Sequence, residues 1–128
     1  MVKTPDEKWK KTVAGYRKKC QTILDISDNI RYAGAINSYG RTLTGIVKPD
    51  VKPMLGREQA KNEFFIIPTM LTLRGESSKK LGKMNYTLVH HQKITILVLQ
   101  KDTITYYTTI DKKEKDIGRI VSKIQKII

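Results

Sequence analysis

The chain has little of several residue types that would announce a function. One cysteine in 128 residues excludes an internal disulfide and any metal cage built from several thiolates, and it suits a reducing compartment. Long apolar runs are missing. The longest, Phe64–Ile67 and Ile96–Leu99, fall far short of the roughly 20 residues that cross a bilayer. The N-terminal stretch Met1–Lys11 is charged and lacks the apolar segment of a signal peptide, so a cytoplasmic protein with no membrane-spanning helix is expected. There is no phosphate-binding glycine loop with its lysine, no nucleophile elbow and no carboxylate pair near a histidine. His90 and His91 are neighbours on a predicted strand, so their side chains point to opposite faces and cannot grip one metal ion together. No catalytic residue, metal or cofactor is therefore expected, and the chain reads as a non-enzyme.

Acidic residues are also scarce, 12 against 25 Lys and Arg, for a formal charge of +13. Such a surplus attracts polyanions and acidic protein surfaces, and serves equally as a solubility device. It says nothing about fold. Hydrophobic residues at 39% and charged residues at 29% are ordinary for a globular protein, and the length suits one core, a single domain over residues 1–128.

Thr4-Pro5-Asp6-Glu7 predicts a helix start: Thr4 as cap, Pro5 at the first helical position and Glu7 reaching back to close a capping box. Trp9, Val13, Tyr16, Cys20, Ile23 and Leu24 follow at three- and four-residue steps, one stripe facing the core, with Cys20 as packing. Ile30–Asn37 and Arg41–Val47 form a hairpin around Ser38-Tyr39-Gly40, where Gly40 supplies a positive φ. Gly34 and Gly45 inside these strands predict a helix packed closely over the sheet. A Pro/Gly loop, Lys48–Gly56, leads to the segment Arg57–Leu81.

On a helical wheel Ala60, Phe64, Ile67 and Leu71 share one direction of that segment, and Ile66, Met70 and Leu73 an adjacent one. Together they span about 200°, twice what a surface helix needs to cover one core. One face can cover a sheet, and the other requires a second partner. Pro68 predicts a kink near Phe64; the competing reading breaks the segment into strands Glu63–Ile67 and Thr69–Leu73. Lys83–His91, Ile94–Gln100 and Thr103–Ile110 then predict three antiparallel strands with very short connections. The middle one is apolar on both parities and so is buried on both faces. Asp111 with Glu114 predicts the cap of a last helix carrying Ile117, Ile120, Val121, Ile124 and Ile128 on one side.

The resulting α+β order, α-β-β-α-β-β-β-α, resembles the roadblock and dynein-light-chain family of the profilin-like and longin-like group. The stretches Ile30–Gly40 and Leu81–Leu88 are also similar to markers in a set of uncharacterised archaeal proteins of this architecture. The resemblance implies a five-stranded antiparallel sheet with helices on both faces. It also implies a homodimer paired through the central helix and the adjacent edge strand, which places Phe64, Ile66, Ile67, Met70, Leu73, Met84 and Tyr86 near the seam. A protein partner, a small GTPase or a signalling assembly, is implied with it.

An alternative rests on charge. Lys8, Lys11, Arg17, Lys18 and Lys19 occupy the polar arc of the first helix, and Lys112, Lys115, Arg119, Lys123 and Lys126 lie opposite the isoleucines of the last. If both helices cover one side of the sheet, that side is a basic plate suited to sequence-nonspecific, salt-sensitive nucleic-acid binding; the plainer reading is two solvated helix faces. A small-molecule site against the sheet is disfavoured by its bulky aliphatics.

Overall fold

The computed structural model describes residues 4–128; the first three residues of the charged Met1–Lys11 stretch lie outside them. The helix start is as the sequence predicts. Thr4 caps α1 (Pro5–Leu24), the Glu7 amide donating to Thr4 Oγ1 at 3.2 Å and the Thr4 amide donating to Glu7 Oε2 at 3.2 Å. Strands β1 (Ile30–Ile36) and β2 (Thr42–Val47) follow, then α2 (Arg57–Arg74), a 3-10 turn (Gly75–Ser77) and a one-turn helix α3 (Ser78–Leu81). Strands β3 (Thr87–His90), β4 (Ile94–Lys101) and β5 (Ile104–Asp111) precede α4 (Ile117–Ile127). All strand pairs are antiparallel in the order β2-β1-β5-β4-β3. The segment from Arg57 to Leu81 is helical, so the two-strand alternative is not realised.

The sheet separates two apolar layers. On one face Cys20, Ile23 and Leu24 of α1 and Ile120, Val121 and Ile124 of α4 pack on Ala33, Ala35, Leu97, Leu99, Tyr106 and Ile110. On the other, Ile67 and Leu71 of α2 pack on Ile36, Ile96, Val98 and Tyr107. β4 thus feeds both layers from alternate residues, as its double apolar parity requires. Both terminal helices share one face and α2 takes the other.

Cys20 is fully buried, and burial pushes its thiol up to about 11, partly offset by Arg17. At pH 8 iodoacetamide should alkylate it about a hundredfold more slowly in the folded protein than in denaturant, because so little thiolate is present. Equal rates in the two states would show that this layer opens freely.

Four predicted details fail for local reasons. Trp9, placed in the core stripe, is 53% exposed, and every residue from Thr4 to Thr12 is exposed: the first turns of α1 extend beyond the sheet. The third strand begins at Thr87, not Lys83. Gly82 at φ 88 turns the chain sharply, and the β3 ladder begins only where Thr87 meets Val98. The strand glycines are not covered by a helix. Gly34 and Gly45 stand opposite each other, and a Cβ on either would run into the Tyr32 phenol; what they make room for is a ring.

The last helix starts at its cap Asp116, five residues later than Asp111 suggests, because β5 runs through Asp111. Asp111 Oδ1 instead accepts from the Lys113 amide at 3.0 Å. The Glu114 carboxylate accepts from Ser27 Oγ at 2.5 Å, Asn29 Nδ2 at 3.5 Å and the amides of Lys115 and Asp116 at 3.0 and 3.1 Å. It therefore fastens the loop before α4 to the loop after α1.

Those donors, Ser27 first, hold the Glu114 carboxyl below its ordinary value. A carboxyl depressed in the folded state contributes stability above its unfolded value that disappears as pH falls through the folded one. Glu114→Gln should cost at most about 1 kcal/mol at pH 7, since solvent screens so open a site. The gap between the two proteins in urea unfolding should shrink as pH falls below the ordinary carboxyl range and close once pH lies under the depressed value of Glu114. A gap that persists unchanged into acid would assign the effect to shape and not to charge.

Candidate interaction surface

The position of α2 is set by three rings. Phe64 stacks on Tyr32 with centroids 6.1 Å apart and meets Tyr107 edge-on at 5.1 Å, while Tyr32 meets Tyr107 at 6.2 Å. The Tyr107 hydroxyl donates to Glu63 Oε1 at 3.3 Å. Burial, with the Glu63 carboxylate beside it, raises the Tyr107 phenol well above its usual range, so it remains a donor at any ordinary pH. The glycine pair that admits the Tyr32 ring is thus what lets α2 approach the sheet through Phe64.

A second contact pins the same place. Pro68 lies inside α2, so the Phe64 carbonyl has no i+4 amide to receive. Gly40, at φ 80 in the β1–β2 turn, abuts that carbonyl. A Cβ at position 40 would stand 2.9 Å from Phe64 O and 3.3 Å from Phe65 Cα.

With this side held down, the opposite side of α2 is left uncovered. Phe65 is 64% exposed, Ile66 54% and Leu73 74%, and with Thr69, Met70 and Arg74 they line an open, mainly apolar groove. Of the seven residues placed near a seam, Ile66, Leu73 and Tyr86 are exposed, and Met70 and Met84 are half-buried. Phe64 and Ile67 belong to the inner side: Ile67 is 3% exposed and both pack toward the sheet. Met84 and Tyr86 lie in the irregular segment before β3 and not on the strand. Among the described residues β3 pairs with β4 alone and forms the edge of the sheet.

Phe65 lines this groove without being one of the seven. It stands about 100° around the helix from Ile66, and its signal was present in the wheel as a widening of the second apolar face.

The basic residues divide differently. Lys8, Lys11, Arg17 and Lys18 are exposed on α1, and Lys19 is half-buried; Arg17 reaches across to donate to Thr44 Oγ1 at 3.4 Å. Arg119, Lys123 and Lys126 are exposed on α4, but Lys112 and Lys115 lie in the loop before it. Among the described residues the ion pairs are Lys10–Asp6 at 3.2 Å and Arg31–Asp111 at 3.7 Å, so none of these ten cations has an acidic partner. His90 ends β3 and its Nδ1 bonds Thr95 Oγ1 at 2.8 Å, whereas His91 lies just past the strand, its amide donating to the Ile94 carbonyl at 2.8 Å; no group of metal-binding side chains occurs among the described residues. No helix there is long and apolar enough to cross a membrane.

Solved structures share this arrangement. The gliding protein MglB from Thermus thermophilus superimposes with a TM-score of 0.73 at 12% identity, over 89% of this chain and 85% of that one. A roadblock/LC7 domain from Streptomyces avermitilis gives 0.61 at 8% identity, over 85% and 93%. The chain has a roadblock/LC7 fold. An MglB with a tetrameric arrangement also matches, with a TM-score of 0.67 at 13% identity over 89% of this chain and 90% of that one. At these identities the likeness concerns the roadblock fold alone. Neither a family model nor a curated protein matches the chain. The roadblock scaffold accounts for why α2 stands alone on one sheet face: the terminal helices occupy the other, and among the described residues nothing further covers the outer side of α2.

Proposed function

We propose that this protein is a non-catalytic interaction module that works as a homodimer and docks a second protein, with a small GTPase or another signalling protein as the partner class. One observation carries the pairing. The outer side of α2 presents Phe65, Ile66 and Leu73 to solvent at 64, 54 and 74% exposure, and a contiguous apolar strip of this kind marks an association site.

The seam is formed by Phe65, Ile66, Met70 and Leu73, extended by Met84 and Tyr86 beside the free edge of β3. Phe64 and Ile67 support it from beneath. A two-fold contact suits the strip because one patch can be its own complement. The tetrameric arrangement of an MglB of the same fold is consistent with self-association. The GTPase partner is carried over from the fold resemblance, an argument by analogy.

Light scattering at micromolar protein should give twice the chain mass. A monomer under those conditions would defeat the pairing. Binding of a small GTPase from the same genome that depends on its nucleotide state would support the partner class, and indifference to every such GTPase would remove it.

A further inference from the structure

The exposed end of α1 carries a feature that pairing through α2 leaves unused. Trp9, the single tryptophan of the chain, stands 53% exposed where helical spacing would have placed it in the core. Lys8 and Lys10 flank it on either side of the helix, about 100° away in each direction, and Lys11, one turn on from Lys8, continues the basic surface around the helix, about 160° from the indole. All four belong to the stretch Thr4–Thr12, every residue of which is exposed.

The nearby acids are occupied. Asp6 pairs with Lys10 at 3.2 Å, a contact so open that a phosphate can displace it, and Glu7 closes the capping box. The stretch lacks the apolar face that would seat a helix in a bilayer, since only Pro5 and Trp9 in it are apolar. An exposed indole with a lysine to either side, on a chain of formal charge +13, has the chemistry of a stacking platform on a basic helix end.

We propose that the overhanging turns of α1 bind single-stranded nucleic acid, with Trp9 stacking on a base and Lys8, Lys10 and Lys11 contacting phosphates. This site lies on the helix that packs on the opposite sheet face from α2, so it does not rest on the homodimer.

The test uses the full chain and a labelled oligothymidylate of about 20 nucleotides. Anisotropy should show binding at about 50 mM NaCl that weakens by one to two orders of magnitude at 200 mM, and the Trp9 fluorescence should be quenched on the same titration. Trp9→Ala should weaken binding about tenfold at either salt, Trp9→Phe should retain most of it, and Lys8→Glu with Lys11→Glu should flatten the salt dependence. Circular dichroism of these surface variants should match the parent.

Absent binding at low salt, affinity indifferent to salt, or a Trp9→Ala variant that binds as well as the parent would each overturn the proposal. So would Trp9 quenching by phosphatidylglycerol vesicles with none by the oligonucleotide. A monomeric variant of the α2 seam should keep binding within about tenfold; failure of the pairing and failure of this site are therefore separate outcomes.

Discussion

Gly40→Val is expected to lower the unfolding free energy by about 3 kcal/mol, with an unchanged dependence on denaturant. Two costs add at this one position. The turn holds Gly40 at φ 80, a conformation that a β-branched residue adopts only under strain of about 1–2 kcal/mol. The new Cβ would also stand 2.9 Å from the Phe64 carbonyl oxygen, a backbone atom that cannot swing aside as a side chain can.

Phe64 is held from the other side by Tyr32 and Tyr107, so α2 has little freedom to retreat. Gly40→Ala should show most of the effect, because the strain and the contact both begin at Cβ. If Gly40→Ala proves neutral in urea melts, the hairpin tip does not rest on α2 in solution.

If the chain pairs as proposed, Ile66→Asp combined with Leu73→Asp is expected to leave it a monomer at micromolar concentration, a loss of about a thousandfold or more in association. Each substitution would bury a carboxylate without a partner in the seam, which costs several kcal/mol per group. Both side chains are exposed in the single chain, at 54 and 74%, so the monomer itself should melt with a nearly unchanged profile. Phe64→Ala is the contrasting control. Its ring supports α2 on the sheet, so truncation should cost about 3 kcal/mol in folding. A double aspartate variant that still runs at twice the chain mass would move the seam away from this groove.

Much of the fold was legible because it follows from local rules. The capping box at Thr4 and the turn at Gly40 are short-range devices that need no tertiary partner. The double parity of β4 and the twin apolar directions of α2 are periodicities, and periodicity states how many sides of an element must be covered. The order of elements and the antiparallel meander follow from these and from short connections.

What stayed illegible depends on where an element ends relative to its neighbours. Trp9 continues the apolar stripe of α1 without a break, yet the sheet stops short of it; a helical wheel encodes direction and carries no information on length of coverage. Asp111 and Glu114 have capping-box spacing, but β5 claims Asp111 through its ladder with β4, and Ser27 and Asn29 claim Glu114 from 85 or more positions away.

Gly34 and Gly45 announce close approach without naming what approaches, and it takes the strand register, which sets them opposite each other beneath Tyr32, to make it a ring. Residue order and periodicity were enough for the elements, their succession and the existence of a surplus apolar face on α2. Packing in three dimensions was needed to choose which residues that face presents, exposing Phe65 and withdrawing Phe64 and Ile67, because the rotation of a helix about its axis is set by what it packs against.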